Sequence, residues 1–193
     1  MEPLAILHRV TSKLEELGIP YMVGGSFASS FYGQARITHD ADLIVSLQQE
    51  HIAGLIEAFR GEFYLDRGMI ENALQQHTSF NLIHLESSFK VDFFTLKPGE
   101  FHQVSFSRRR LEQIDLDTEV REYLQSAEDT VLHKLDWYRQ GGSVSENQWR
   151  DIIGILKAQG PALDMDYLDR WSNELGLVEL LAQAKREAGL THA

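Results

Sequence analysis

The 193-residue chain sets 18 Lys+Arg against 29 Asp+Glu, a formal net charge of −11, and contains no cysteine. That length suits one domain, or one domain with a small helical appendage, and is enough to bury a sizeable core without staples. The lack of Cys excludes disulfides, thiolate nucleophiles and Cys-ligated zinc or iron–sulfur sites, and is compatible with a cytoplasmic address. With 43% apolar and 24% charged residues, the composition is that of a folded protein, not a disordered one. Residues 1–96 carry 6 basic and 12 acidic groups, residues 97–125 carry 5 and 6, and residues 126–193 carry 7 and 11. No segment is basic overall, which argues against a broad electrostatic grip on nucleic acid. No apolar run approaches the ~20 residues of a membrane helix. Met1-Glu2-Pro3-Leu4 lacks a positive region ahead of an apolar stretch, so no signal peptide is expected.

In chain order, Leu7, Val10, Leu14 and Leu17 recur at helical spacing until Gly18 and Pro20. Tyr21-Met22-Val23 reads as a buried strand that enters a tight Gly24-Gly25 turn, and Ser26 to Phe31 as a helix. Asp42 to Val45 is a second strand. Ile52, Leu55, Ile56 and Phe59 mark an amphipathic helix closed by Gly61. Phe80-Asn81-Leu82-Ile83 and the run from Phe89 to Phe94 form a hairpin around Glu86-Ser87-Ser88. Residues 101–124 are expected to be further short strands and loops. From about Ser126 the pattern becomes helical, with stripes at Val131/Leu135/Tyr138, Trp149/Ile152/Ile153/Leu156 and Leu177/Leu180/Leu181/Ala184/Ala188. The expectation is a mixed α/β (α+β) core over 1–125 and an all-helical section over 126–193.

Three features carry chemistry. Gly24-Gly25-Ser26 ends a strand and opens a helix, where paired glycines and free N–H groups suit a phosphate, although such a turn is often only a turn. In Asp40-Ala41-Asp42, residues i and i+2 of a strand face the same side, so two carboxylates stand together. Either a divalent ion such as Mg²⁺ or Mn²⁺ lies between them, or the strand start is merely solvated. Asp92 lies inside the apolar run Val91-Asp92-Phe93-Phe94 and needs a partner: Lys90, a nearby Arg, or a metal.

Taken together these features resemble the DNA polymerase beta-like nucleotidyltransferase superfamily. The matching elements are the Gly-Gly-Ser turn, 13 intervening residues, the Asp-x-Asp strand and a later lone Asp. The segments Val23 to Ala28 and Arg36-Ile37-Thr38-His39-Asp40-Ala41-Asp42 look like its small bacterial and archaeal branch. Ser126-Ala127-Glu128-Asp129, Leu132-His133-Lys134-Leu135 and Trp149-Arg150-Asp151-Ile152 are similar to AbiEii-type toxin nucleotidyltransferases.

The resemblance implies a nucleotidyltransferase fold, a small mixed sheet flanked by helices, with a C-terminal helical section that closes the nucleotide cleft. It implies transfer of an NMP group from an NTP such as ATP to a tRNA, protein or small-molecule hydroxyl. By the same resemblance, Asp40, Asp42 and Asp92 hold two Mg²⁺ or Mn²⁺ ions, and Asp92 can take the acceptor's proton. Gly24, Gly25 and Ser26 would cradle the phosphates and Lys134 would pair with the triphosphate. Asp151 would orient Lys134 or a ribose hydroxyl, and Arg36 would meet phosphate or balance the acidic cluster. A cognate toxin–antitoxin partner follows from the AbiEii likeness. The rivals are a nucleotide-sensing or antitoxin-like binding module on the same fold, and a hydrolase using the same metals. Thr38 reads as structural, Arg108-Arg109-Arg110 as a solvated loop or an RNA contact, and Trp137, Trp149 and Trp171 as core.

Overall fold

The computed structural model describes residues 3–115 and 119–190. The signal-peptide reading at Met1-Glu2, and residues 116–118 of the expected strand-and-loop stretch, lie outside the described residues. Among the described residues the chain resolves into two compact units. One holds the residues up to Gly24 together with Ile37–Leu124, and the other holds Gly25–Arg36 together with the residues from Gln125 onward. None of the described helices is long and apolar enough to cross a membrane.

The first unit is built on a seven-stranded mixed sheet. In chain order its strands are β1 (Tyr21–Val23), β2 (Asp40–Val45), β3 (Phe63–Tyr64), β4 (Ser79–His84), β5 (Lys90–Thr95), β6 (Arg110–Gln113) and β7 (Arg121–Leu124). They lie side by side in the order β3-β4-β5-β2-β1-β7-β6. The β2–β5 and β1–β7 pairs are parallel and the others antiparallel. All three residues of β1 are buried, in keeping with its apolar run. Strands β2 and β5 alternate instead: Ala41, Leu43, Val45, Val91 and Phe93 are buried in the core, while Asp40, Asp42, Lys90 and Asp92 share the partly exposed face.

Helix α1 (Pro3–Glu16) buries Ile6, Leu7, Val10 and Leu14 along one stripe, as its spacing predicts. The helix expected around Ile52–Phe59 is α3 (His51–Phe59). Two helices of this unit depart from the sequence expectation. Helix α4 (Arg67–Gln76) buries only Ile70 and Ala73, too thin a stripe to announce itself; its start is set by the Asp66 side chain, which accepts from the Met69 N–H at 2.9 Å. Helix α5 (Glu100–Ser107) replaces the strands and loops expected from residue 101, because Phe101, Ser105 and Phe106 bury at helical spacing despite their strand-like composition. The strands expected later in that stretch are β6 and β7.

The second unit is helical among its described residues: α2 (Gly25–Tyr32), α6 (Ala127–Gln140), α7 (Glu146–Gln159), a short 3-10 turn (Gly160–Ala162), α8 (Met165–Glu174) and α9 (Val178–Ala188). Ser126, Ser145 and Asp164 each cap a helix start by accepting a backbone N–H three residues on. Helix α8 carries no stripe in the sequence reading, yet it buries Leu168, Trp171 and Ser172.

Candidate functional site

In the first unit, Asp42 is the direct register partner of Asp92 across the parallel β2–β5 pair, and Asp40 is the partner of Lys90. Four polar residues therefore form a two-by-two array on one sheet face, three of them acidic. Behind them Ala41 and Val91 are fully buried and anchor the alternation. The array is tied down locally. The Gly24 N–H donates to the Asp42 carbonyl at 2.9 Å, which extends the β1–β2 ladder into the glycine turn. The Thr38 hydroxyl donates to the Asp40 carbonyl at 2.9 Å and to its carboxylate at 3.2 Å, the structural role its sequence position suggested.

Lys90 Nζ lies 2.6 Å from Asp92 Oδ2, with the lysine side chain 40% exposed and the aspartate 14%. The hydrogen bond that it donates to Asp92 holds this ammonium above the ordinary lysine range. Burial opposes that effect, and the charges of Asp92, Asp40 and Asp42 add to it. Among the described residues, no three or more His, Asp or Glu side chains are gathered so as to hold a metal ion. Asp92 is drawn to Lys90, and Asp40 accepts from Thr38. The donor chemistry still fits a small hard cation: oxygen ligands only, three carboxylates on one face of two adjacent strands, and a backbone register that sets two of them side by side.

The second unit contains its own charged cluster. Asp151 on α7 accepts from Lys134 Nζ of α6 at 3.0 Å, from Arg36 at 3.1 Å and from the Ser29 hydroxyl of α2 at 3.2 Å. Lys134 also donates to Gln148 at 3.1 Å, and the Arg36 guanidinium donates to the Ser26 hydroxyl. Lys134 and Asp151 are almost wholly buried. Burial pushes the Asp151 carboxyl up. The hydrogen bond from Arg36, then the charge and hydrogen bond of Lys134 and the charge of Arg36, outweigh that and hold it below the ordinary carboxylate value. Gly25 has a positive φ of 53°, the conformation that lets the turn open directly into α2 with Ser26 in its first turn. Of the two roles open to Asp151 in the sequence, the contact with Lys134 is made. Arg36 meets a carboxylate here. Ser29 and Gln148 join the cluster without a motif of their own; each stands one helical turn, three residues, from Ser26 or Asp151.

Other motifs have structural work. The Ser126 hydroxyl caps α6 and donates to Asp129 at 2.6 Å, Asp129 accepts from the Tyr167 hydroxyl at 2.7 Å, and Glu128 accepts the Asp164 N–H at 3.1 Å. The segment thus starts α6 and ties it to α8. The arginine run is not a plain solvated loop: Arg109 stacks 4.5 Å from the Phe106 ring and 5.3 Å from that of Tyr123. Trp171 is core, as expected, whereas Trp137 is 52% exposed. Trp149 donates to Glu187 at 2.7 Å.

No protein-family model matches the chain, and no curated protein matches it either. Solved structures similar to the chain include two nucleotidyltransferase-related proteins. One is the crystal structure of an antigenic nucleotidyltransferase-like protein from Paracoccidioides brasiliensis, at 21% identity and TM-score 0.51, over 79% of this chain and 74% of that one. The other is the solution structure of the antibiotic-resistance factor ANT(2'')-Ia, at 13% identity and TM-score 0.53, over 95% of this chain and 92% of that one. The mixed sheet flanked by helices is therefore the fold that this chain shares with nucleotidyltransferase-like proteins.

Proposed function

We propose that the chain is a metal-dependent nucleotidyltransferase that moves an NMP group from an NTP, ATP included, to an acceptor hydroxyl. The observation that carries this reading is Asp42 in register with Asp92 on the face that also bears Asp40, within a fold shared with nucleotidyltransferase-like proteins. Asp40, Asp42 and Asp92 would hold Mg²⁺ or Mn²⁺, which when bound neutralises phosphate charge and acidifies a coordinated hydroxyl. Asp92 accepts the acceptor's proton on a carboxylate oxygen. The acceptor oxygen bonds to the α-phosphorus while the bond to the pyrophosphate oxygen breaks, and pyrophosphate leaves. In the second unit, the Gly25–Ser26 backbone and the Ser26 hydroxyl suit a terminal phosphate. Lys134 and Arg36 supply positive charge, and Asp151 holds both in place. Gly24 positions the turn, since its N–H already serves Asp42.

The acceptor is a tRNA, a protein or a small molecule, and the net charge of −11 weighs against an RNA held by electrostatics alone. The likeness to AbiEii-type enzymes extends the proposal to toxin-like use with a cognate partner in the cytoplasm. A second reading, a non-catalytic nucleotide-binding module, is favoured by the ammonium of Lys90 already engaging Asp92. The test incubates the purified protein with labelled NTPs, Mg²⁺ or Mn²⁺, and mixed tRNA and protein acceptors. Label transferred to an acceptor, and lost in Asp42→Ala, supports the enzyme. Nucleotide binding without transfer turns the conclusion to the second reading, and release of free NMP turns it to a hydrolase.

A further inference from the structure

The carboxylate array has four corners, and the fourth is a lysine. Lys90 stands level with Asp40 across the β2–β5 pair and two residues before Asp92 on the same strand face. Neighbouring strands lie about 4.8 Å apart, and residues i and i+2 about 6.6 Å. The long, flexible lysine stem therefore keeps its ammonium within reach of all three carboxylates. Its contact in this structure is Asp92, at 2.6 Å. The two partners differ in freedom: Lys90 is 40% exposed and can swing into water, whereas Asp92 is 14% exposed and stays with its strand. A small divalent cation takes oxygen ligands and carries twice the charge of an ammonium. Two cations crowded onto one carboxylate repel, so the mobile one gives way.

Resting on the metal-dependent reading above, we propose that Lys90 is a tethered counter-cation of the array: its ammonium neutralises Asp92 while no metal is bound and leaves it when a divalent ion binds. The lysine spares three carboxylates their mutual repulsion in the metal-free protein. It also sets a threshold that a divalent ion must exceed and a weakly bound monovalent ion does not.

The test is Mn²⁺ binding to the full chain without nucleotide, followed by the electron paramagnetic resonance signal of free Mn²⁺. Lys90→Met keeps the length of the side chain and removes its charge. An exposed ion pair is screened, so the variant is expected to bind Mn²⁺ about fivefold more tightly than the wild type. Lys90→Arg keeps the charge and should stay within about twofold of the wild type by the same reasoning. Lys97→Met, which removes an exposed charge just beyond β5, should leave the affinity unchanged. Equal or weaker binding by Lys90→Met, or equal tightening by Lys97→Met, overturns the proposal while leaving the metal reading intact. If neither the wild type nor Lys90→Met takes up Mn²⁺, the metal reading fails, and this inference with it.

Discussion

Replacing Asp151 by Ala probes whether the second unit's cluster is held by charge. The substitution removes the carboxylate that accepts from Lys134 at 3.0 Å and from Arg36 at 3.1 Å. At an effective dielectric of about 20, unit charges this close attract by roughly 5 kcal/mol before desolvation is counted. Arg36 is 27% exposed and can rehydrate, but the Lys134 side chain is only 7% exposed and cannot. Breaking a buried pair from one side costs about 3–5 kcal/mol, because a charge is left behind. For a chain of this size that lowers Tm by roughly 6–20 °C. The assay is thermal unfolding by circular dichroism on Asp151→Ala, Lys134→Met and the double variant. With both charges gone nothing is stranded, so the double variant should recover at least half of the loss seen in Asp151→Ala. A double variant that melts with or below the single one refutes the reasoning.

In the first unit, the Glu122 side chain is fully buried and accepts from the Tyr21 hydroxyl at 2.8 Å and the Thr11 hydroxyl at 2.9 Å. Burial, then the charge of Glu122, pushes the Tyr21 hydroxyl far above the ordinary tyrosine range. Tyr21→Phe should therefore cost about 1.5–3 kcal/mol in urea unfolding, and an unchanged midpoint would show that this carboxylate does not need the donor. Gly33→Ala places a Cβ 2.8 Å from the Ile155 nitrogen, a backbone atom that cannot yield cheaply. A loss of about 1–3 kcal/mol is expected, and a variant that melts like the wild type would sink the close-approach argument. Asp151 is held below its ordinary pKa, so its contribution to stability is fully present above about pH 4 and fades as pH falls through the lowered folded value. Acid titration of the wild type and Asp151→Asn should show the two stability curves converging below that range, and curves that stay parallel would exclude Asp151 as the source.

Much of the local architecture is legible in the residues. The apolar spacing of α1 and α3, the strand–turn–helix at Tyr21 to Tyr32 and the hairpin around Glu86-Ser87-Ser88 all emerge where the periodicity places them. Helices α4 and α8 escaped because each buries a short stripe, Ile70 and Ala73 in one and Leu168, Trp171 and Ser172 in the other, and α5 because phenylalanine-rich composition masked helical spacing. Within the site, the alternation of β2 was enough to put Asp40 and Asp42 on one face. The division of the chain was less visible: Gly25–Arg36 groups with the later helices, a partnership that no local pattern encodes.

By itself, then, the sequence determined the short-range features: helix stripes, the same-face pair of carboxylates and the glycine turn. These depend on backbone geometry among near neighbours. Only the tertiary structure decided that β5 lies parallel to β2 with Asp92 level with Asp42, and that Lys90 takes the fourth corner. It alone decided that Arg36 joins Lys134 on Asp151. Those pairings join residues far apart in the chain. They are selected by how apolar faces such as Ala41/Leu43 and Val91/Phe93 bury together, and the charged residues are carried to their partners by that packing.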